Sequence, residues 1–123
     1  MLDHIGLNVT DYDRSRAFFA SALEPLGLTL LMEPIADTGG FGRDGKPFFW
    51  LSGQRRPVSE NVHVAFAVTE RALVDAFHAA ALEAGGTDNG APGLRPMYHP
   101  TYYGAFVRDP EGNNIEAVCH APE

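Results

Sequence analysis

The chain contains an internal repeat, and each copy begins with a histidine. When residue 4 is placed over residue 63, HIGLNVTDYDRSRAFFASALEPLG aligns without gaps with HVAFAVTERALVDAFHAAALEAGG. The matched pairs include His4/His63, Phe18/Phe77 and Gly27/Gly86. Self-similarity over this length indicates two copies of one supersecondary unit, each about half of the protein.

Each copy begins with a strand and continues into a helix. Apolar residues alternate with small or polar ones in residues 5–9 and 62–68, which is typical of a strand with one buried face. Apolar residues then recur at helical spacing. Further strands are predicted at LTLLMEPIA, near GFGR and at FFWLSG in the first copy, and at YYGAFVR and NIEAVC in the second. The segment GTDNGAPGLRP is mostly turn-forming and predicts a strand only weakly.

These patterns predict an α+β fold built from two β-α-β-β-β modules. We expect a single domain over residues 1–123, with module one at about 1–56 and module two at about 61–120. The apolar strand faces should pack under helices on the outer face of a cupped mixed sheet. The opposite faces, which carry His4 and His63, should line a concave surface.

Composition excludes several kinds of partner. The formal net charge is -7, and an acidic chain without basic clusters repels phosphate backbones and anionic lipid. We therefore expect neither nucleic acid nor a membrane as partner. No apolar run approaches the roughly twenty residues that span a bilayer, and MLDHIGLNV lacks a signal-peptide pattern. The single cysteine, Cys119, cannot form an internal disulfide, so we expect a cytoplasmic protein.

An acidic residue, Glu116, lies in the middle of the last predicted strand. Alternation assigns Ile115 and Ala117 to the helix side, so Glu116 should share the concave side with His4 and His63. Two imidazoles and a carboxylate can hold a divalent metal and leave positions open for water or substrate. We interpret the three residues as metal ligands. The alternative is that each is an ordinary polar residue of a strand.

These motifs resemble those of the vicinal oxygen chelate superfamily. It includes glyoxalase I, extradiol dioxygenases, fosfomycin-resistance thiol transferases, methylmalonyl-CoA epimerase and bleomycin-resistance proteins. The resemblance rests on the paired modules, HIGLNV, HVAFAV and DPEGNNIE, and it covers nearly the whole chain. It implies that His4, His63 and Glu116 bind a divalent metal, commonly Fe, Mn, Ni, Co or Zn. In most family enzymes that metal chelates two substrate oxygens and stabilises a developing enolate or oxyanion.

The sequence departs from the family at two positions. Glyoxalase I has a fourth ligand, a glutamate, where this chain has Trp50, or Phe49 in the neighbouring alignment. Dioxygenases and fosfomycin thiol transferases carry a tyrosine ten residues before the glutamate, where this chain has Phe106. The resemblance therefore implies three protein ligands and does not select one reaction.

The segment LRPMYHPTYYGAF, residues 94–106, is the other concentration of reactive side chains. We interpret it as a roof over the cup, with Arg95 binding an anionic group and Tyr98 or His99 exchanging a proton with substrate. The remaining predicted substrate contacts are aromatic: Phe48, Trp50, Tyr102, Tyr103 and Phe106. The alternative for this loop is that its side chains only pack against one another. The alternative for Phe48 and Trp50 is apolar packing or a dimer contact.

The predicted function is that of a metal-dependent lyase, isomerase or oxygenase acting on a small oxygenated molecule. Catalysis is assigned to Glu116, His99, Tyr98 and Arg95. The alternative is a binding or sequestering protein of the bleomycin-resistance type. We also expect a homodimer, because paired modules of this kind leave strand edges and apolar rims exposed.

Overall fold

The strands and helices of the chain repeat one order twice. The computed structural model describes residues 1–54, 57–58 and 61–123. Module one contains β1 (Ile5–Asn8), α1 (Tyr12–Ala22), a short 3-10 turn (Glu24–Leu26), β2 (Thr29–Met32), β3 (Thr38–Arg43) and β4 (Lys46–Ser52). Module two contains β5 (His63–Val68), α2 (Arg71–Glu83), β6 (Thr87–Leu94), β7 (Tyr103–Arg108) and β8 (Asn114–Cys119). The predicted α+β fold of two β-α-β-β-β modules is confirmed. The predicted boundary between the modules falls partly on residues 55–56 and 59–60, which lie outside the described residues.

Each module forms one four-stranded mixed sheet. The strand order is β1-β4-β3-β2 in module one and β5-β8-β7-β6 in module two. The first strand of each module pairs in parallel with the last, and the other pairings are antiparallel. In the described part of the chain, the predicted mixed sheet is thus present as two halves that share no ladder of hydrogen bonds.

The core lies on the side of the sheets that faces the two helices. In β5, Val64 and Phe66 are buried whereas His63 and Ala65 are exposed, as the alternation predicts. The ring of Phe66 packs edge-to-face against Phe49 of module one, with centroids 5.3 Å apart. This contact joins the two modules through one hydrophobic core. Neither helix in the described ranges is long and apolar enough to cross a membrane.

The weakly predicted segment after α2 forms the eight-residue strand β6. It contains Gly90, Pro92 and Gly93, and its pairing with β7 shifts register on either side of Gly90. An edge strand tolerates proline and glycine because one side of its backbone needs no partner strand. This position explains why turn-forming residues still yield a strand.

The turn before β8 also holds the start of β5. The Asp109 carboxylate accepts hydrogen bonds from the backbone N–H groups of Glu111 at 2.9 Å and Asn113 at 2.8 Å. Burial raises the pKa of this carboxyl, and the hydrogen bonds act in the opposite direction. The Asn113 side-chain oxygen accepts from the N–H of Val62 at 3.1 Å. The turn therefore sets β5 beside β8, and with it His63 beside Glu116.

Candidate functional site

Glu116 and His63 contact each other on the sheet face opposite α2. Strands β5 and β8 are parallel, and Ala65 is the register partner of Glu116. The Glu116 side chain is 1% exposed, and its Oε1 lies 2.7 Å from Nε2 of His63. The His63 side chain is 52% exposed. A nearly buried carboxylate thus holds one nitrogen of an imidazole whose other nitrogen, Nδ1, makes no hydrogen bond to any described residue.

The second oxygen of Glu116 is bonded to Tyr102. The Tyr102 hydroxyl donates to Oε2 of Glu116. Burial of the phenol, followed by its hydrogen bond to the carboxylate, raises the pKa of Tyr102, so the hydroxyl keeps its proton and remains a donor. A buried carboxylate without partners is costly. Glu116 is accommodated in its strand because His63 and Tyr102 both bond to it.

Tyr102 reaches Glu116 from the loop of the β6–β7 hairpin. The N–H of Arg95 donates to the carbonyl of Tyr102 at 2.8 Å, and the N–H of Tyr102 donates to the carbonyl of His99 at 3.1 Å. The exposed Tyr98 ring packs edge-to-face against Tyr102, with centroids 5.1 Å apart. Hydrogen bonds at the base of the loop therefore direct Tyr102 back onto the sheet.

Arg95 and Phe106 lie next to this group. Phe106 is the register partner of Glu116, and its ring centroid is 6.2 Å from that of His63. The Arg95 guanidinium lies over Phe106 at 5.4 Å. Its two Nη atoms each donate to a backbone carbonyl of β6 at 2.8 Å. Arg95 is thus held beside the site with part of its donor capacity already used.

A cleft of about 490 Å³ brings together residues from both modules. His4 and Phe48 line it from module one, and His63 lines it from module two. The His4 ring lies 2.7 Å from the Asp3 carboxylate, which also accepts from Lys46 at 2.8 Å. The hydrogen bonds from Lys46 and His4 hold the pKa of Asp3 below its usual range. The two predicted histidines therefore share a cleft, but only His63 contacts Glu116.

The three predicted metal ligands do not fit a metal ion as they are arranged. Imidazole and carboxylate are suitable donors for a divalent metal. Among the described residues, however, no three His, Cys, Asp or Glu side chains are grouped closely enough to hold one ion. His63 and Glu116 bond to each other, and His4 bonds to Asp3. A metal would require these side chains to rearrange, and the triad stays a prediction.

Several other predicted residues lie away from Glu116. The Tyr103 hydroxyl donates to Asp75 of α2 at 2.6 Å, on the helix side of the sheet. The His99 ring packs near His120. At the position of the missing fourth ligand, Phe49 is buried in the core, and Trp50 lies on the other face. The structure therefore does not bring Tyr103 or His99 to Glu116.

Two side-chain interactions are not predictable from the sequence pattern. Tyr102 was expected to contact substrate, and its hydrogen bond to Glu116 joins a loop to a strand 14 residues later. Glu111 had no assigned role, yet it binds the start of α1. The sequence shows only that Glu111 is an acidic residue in the turn DPEG, and this does not identify the group that it binds.

Comparison with known proteins places the chain in a family. A sequence model described as "Glyoxalase/Bleomycin resistance protein/Dioxygenase superfamily" matches residues 1–117. The chain belongs to this superfamily. No protein of curated function gives a significant match.

Solved structures share the fold over nearly their whole length. A glyoxalase/bleomycin resistance protein from Albidiferax ferrireducens T118 is 28% identical, with a TM-score of 0.82 and coverage of 94% of this chain and 96% of that one. A glyoxalase/dioxygenase from Nostoc punctiforme is 25% identical, with a TM-score of 0.70 and coverage of 100% and 92%. A glyoxalase/bleomycin resistance protein/dioxygenase family enzyme from Burkholderia phytofirmans PsJN is 20% identical, with a TM-score of 0.71 and coverage of 97% and 98%. That last likeness concerns the fold alone.

Proposed function

We propose that this protein is an enzyme of the lyase or isomerase kind that moves a proton on a small oxygenated molecule bound in the cleft. The observation that carries the proposal is the 2.7 Å contact between the buried carboxylate of Glu116 and the half-exposed imidazole of His63. A carboxylate that orients an imidazole and stabilises its protonated form is a recurrent arrangement for general acid–base catalysis.

Each member of the group has a separate role in this proposal. Glu116 accepts the Nε2–H of His63, so the lone pair on Nδ1 takes the proton from the substrate. Tyr102 keeps its own proton and holds the second oxygen of Glu116, which fixes the carboxylate in place. Phe48 lines the same cleft as His63, and the ring centroid of Phe106 lies 6.2 Å from that of His63, so both rings offer apolar surface to a bound substrate.

The test is proton exchange between solvent and candidate substrates. The protein is incubated in D₂O with a panel of small hydroxy- and keto-carbonyl compounds, and loss of each C–H signal is followed by proton NMR. We expect wild type to exchange at least one compound and His63→Ala to lose that activity. His78→Ala is the matched control, because His78 forms a similar pair with Asp88 at 2.9 Å outside the cleft. Binding of the panel without exchange would instead support a sequestering protein of the bleomycin-resistance type.

A metal-dependent form of this function is the second candidate. It is favoured by the presence of His4 and His63 on one cleft, with Glu116 bonded to His63. Wild type, His4→Ala, His63→Ala and Glu116→Ala are each loaded with Mn, Fe, Ni, Co or Zn and analysed for bound metal after desalting. If the function depends on a metal, wild type should retain bound metal and each of the three variants should retain less. Equal uptake by wild type and Glu116→Ala would eliminate the predicted triad.

We also propose that the protein acts as a homodimer in the cytoplasm. Within the residues that the structure describes, strands β2 and β6 each pair on one side only, and Met32 and Leu94 at their ends are exposed. Association through such edges would cover unpaired backbone and apolar side chains. Light scattering at micromolar concentration should give twice the mass of the chain, and a monomer would end this part of the proposal.

A further inference from the structure

The Arg95 side chain lies across the edge strand β6 and is held there by the backbone. Its Nη1 donates to the carbonyl of Gly93 and its Nη2 to that of Ala91, both at 2.8 Å. A Cβ at Gly93 would lie 3.2 Å from Nη1, and one at Gly90 would lie 3.2 Å from Nη2 and 2.9 Å from the Phe106 ring. The guanidinium therefore occupies space that exists because β6 has no side chain at these two positions.

The fixed guanidinium and the proposed acid–base pair lie on either side of one phenylalanine ring. Phe106 is the register partner of Glu116, so both side chains lie on the same face of the sheet. The Phe106 centroid is 5.4 Å from the guanidinium carbon of Arg95 and 6.2 Å from the centroid of His63. The guanidinium and the imidazole are thus no farther apart than these two distances added together. A positive charge lies at one end of the site, and the proposed base lies at the other.

Arg95 retains donors for one anion. A guanidinium has five N–H donors in a planar fork, and two of them serve the carbonyls of β6. Three other arginines, Arg14, Arg16 and Arg71, form ion pairs with glutamates. No described carboxylate forms an ion pair with Arg95, although the chain carries a formal net charge of -7. The remaining N–H groups of this half-buried arginine can bind a carboxylate in bidentate fashion.

We propose that the substrate of the Glu116–His63 pair is a small carboxylate, and that Arg95 selects it by binding its charged end. This inference rests on the proposed function and adds the class of substrate to it. In a bidentate pair, the carboxylate carbon lies roughly 4 Å from the guanidinium carbon. A carbon that gives up its proton lies about 3 to 3.5 Å from the base. The span from Arg95 to His63 then fits a short chain, with about one to three bonds between the carboxylate and the reacting carbon.

The first measurement is binding, which does not depend on proton transfer. Pyruvate, 2-oxobutyrate and levulinate are each compared with the neutral amide of the same acid by NMR titration of ¹⁵N-labelled protein. Wild type should bind at least one acid about 10- to 100-fold more tightly than its amide, as expected for a hydrogen-bonded charge pair. Arg95→Gln should bind acid and amide alike, and Arg95→Lys, which keeps the charge without the fork, should retain part of the difference. Arg43→Gln is the matched control, because Arg43 is exposed at the end of β3, and it should behave as wild type does.

The second measurement is C–H exchange of the same compounds in D₂O. Arg95→Gln should raise KM for the acids about 10- to 100-fold and leave KM for the amides unchanged. A merely structural arginine would change both. Arg95-dependent binding of acids without exchange would support this choice of ligand and remove the proposed proton transfer. Equal exchange of acids and amides, unaffected by Arg95→Gln, would support the proton transfer and overturn this inference. Acids that do not bind, or that bind no better than their amides, would also overturn it.

Discussion

Glu111, in the turn before β8, binds Thr10 at the start of α1 in the other module. Its carboxylate accepts from the backbone N–H of Thr10 at 3.0 Å and from the Thr10 hydroxyl at 2.5 Å. It also accepts from the N–H of Asp11 at 3.2 Å and from Arg14 at 3.3 Å. Module two thus supplies a negative charge to the amino end of a helix in module one, where the helix dipole favours it.

Glu111→Ala should therefore destabilise the fold. The variant leaves N–H groups at the start of α1 without their acceptor, and we expect a loss of about 1–2 kcal/mol in the free energy of unfolding. Urea denaturation measures the change. Glu83→Ala is the control, because Glu83 is exposed at the end of α2. Equal stability of the two variants would show that the contact between modules contributes nothing.

The contact between Glu111 and the start of α1 also predicts that the stability of the protein depends on pH. Burial by itself would raise the pKa of Glu111, but hydrogen bonds from Thr10, Asp11 and Arg14 outweigh it and hold the pKa below the usual range. A carboxyl whose pKa is lowered by folding stabilises the protein above its unfolded pKa, about 4.3. That contribution disappears as the pH falls through the folded value. Between about pH 5 and pH 2, wild type should lose stability more steeply than Glu111→Gln. Parallel curves from urea denaturation over this range would contradict the assignment.

The sequence predicted the features that follow from periodicity and left out those that depend on loops. Strand alternation placed Glu116 and His63 on one face, because a side chain in a strand has only two directions to take. It did not pair Glu116 with Tyr102, because a hairpin loop can fold in many ways over a sheet. The sequence also predicted β6 only weakly. An edge strand tolerates the glycines and proline of β6, but its edge position is set by the rest of the sheet.

Tyr102→Phe should destabilise the protein by removing one of the two donors to a buried carboxylate. We expect a cost of about 1–3 kcal/mol, since a hydrogen bond to a charged acceptor is lost. Tyr98→Phe is the matched control. The Tyr98 hydroxyl makes no hydrogen bond among the described residues, although its ring packs on Tyr102. Urea denaturation compares the two, and a Tyr102→Phe variant as stable as Tyr98→Phe would refute this role.

Gly42 should tolerate no side chain, in contrast to Gly6. A Cβ at Gly42 would overlap the backbone carbonyl of Lys46, next to the register shift between β3 and β4. A Cβ at Gly6 would meet nothing within 4 Å. Gly42→Ala should therefore lower the melting temperature and cost about 1–3 kcal/mol, whereas Gly6→Ala should remain close to wild type. A stable Gly42→Ala protein would show that this hairpin can relax.

The pairing of His63 with Glu116 as one acid–base unit is the central claim. Its most direct test is the rate of C–H exchange in D₂O for wild type, His63→Ala, Glu116→Gln and the double variant, with the compound that wild type exchanges fastest. The exchange rate of each single variant should fall about 10²- to 10⁴-fold, which is the usual contribution of a positioned acid–base group. The double variant should be little slower than either single one, because residues that act as a unit are not additive. Exchange that survives in either single variant, or losses that multiply in the double variant, would contradict the claim.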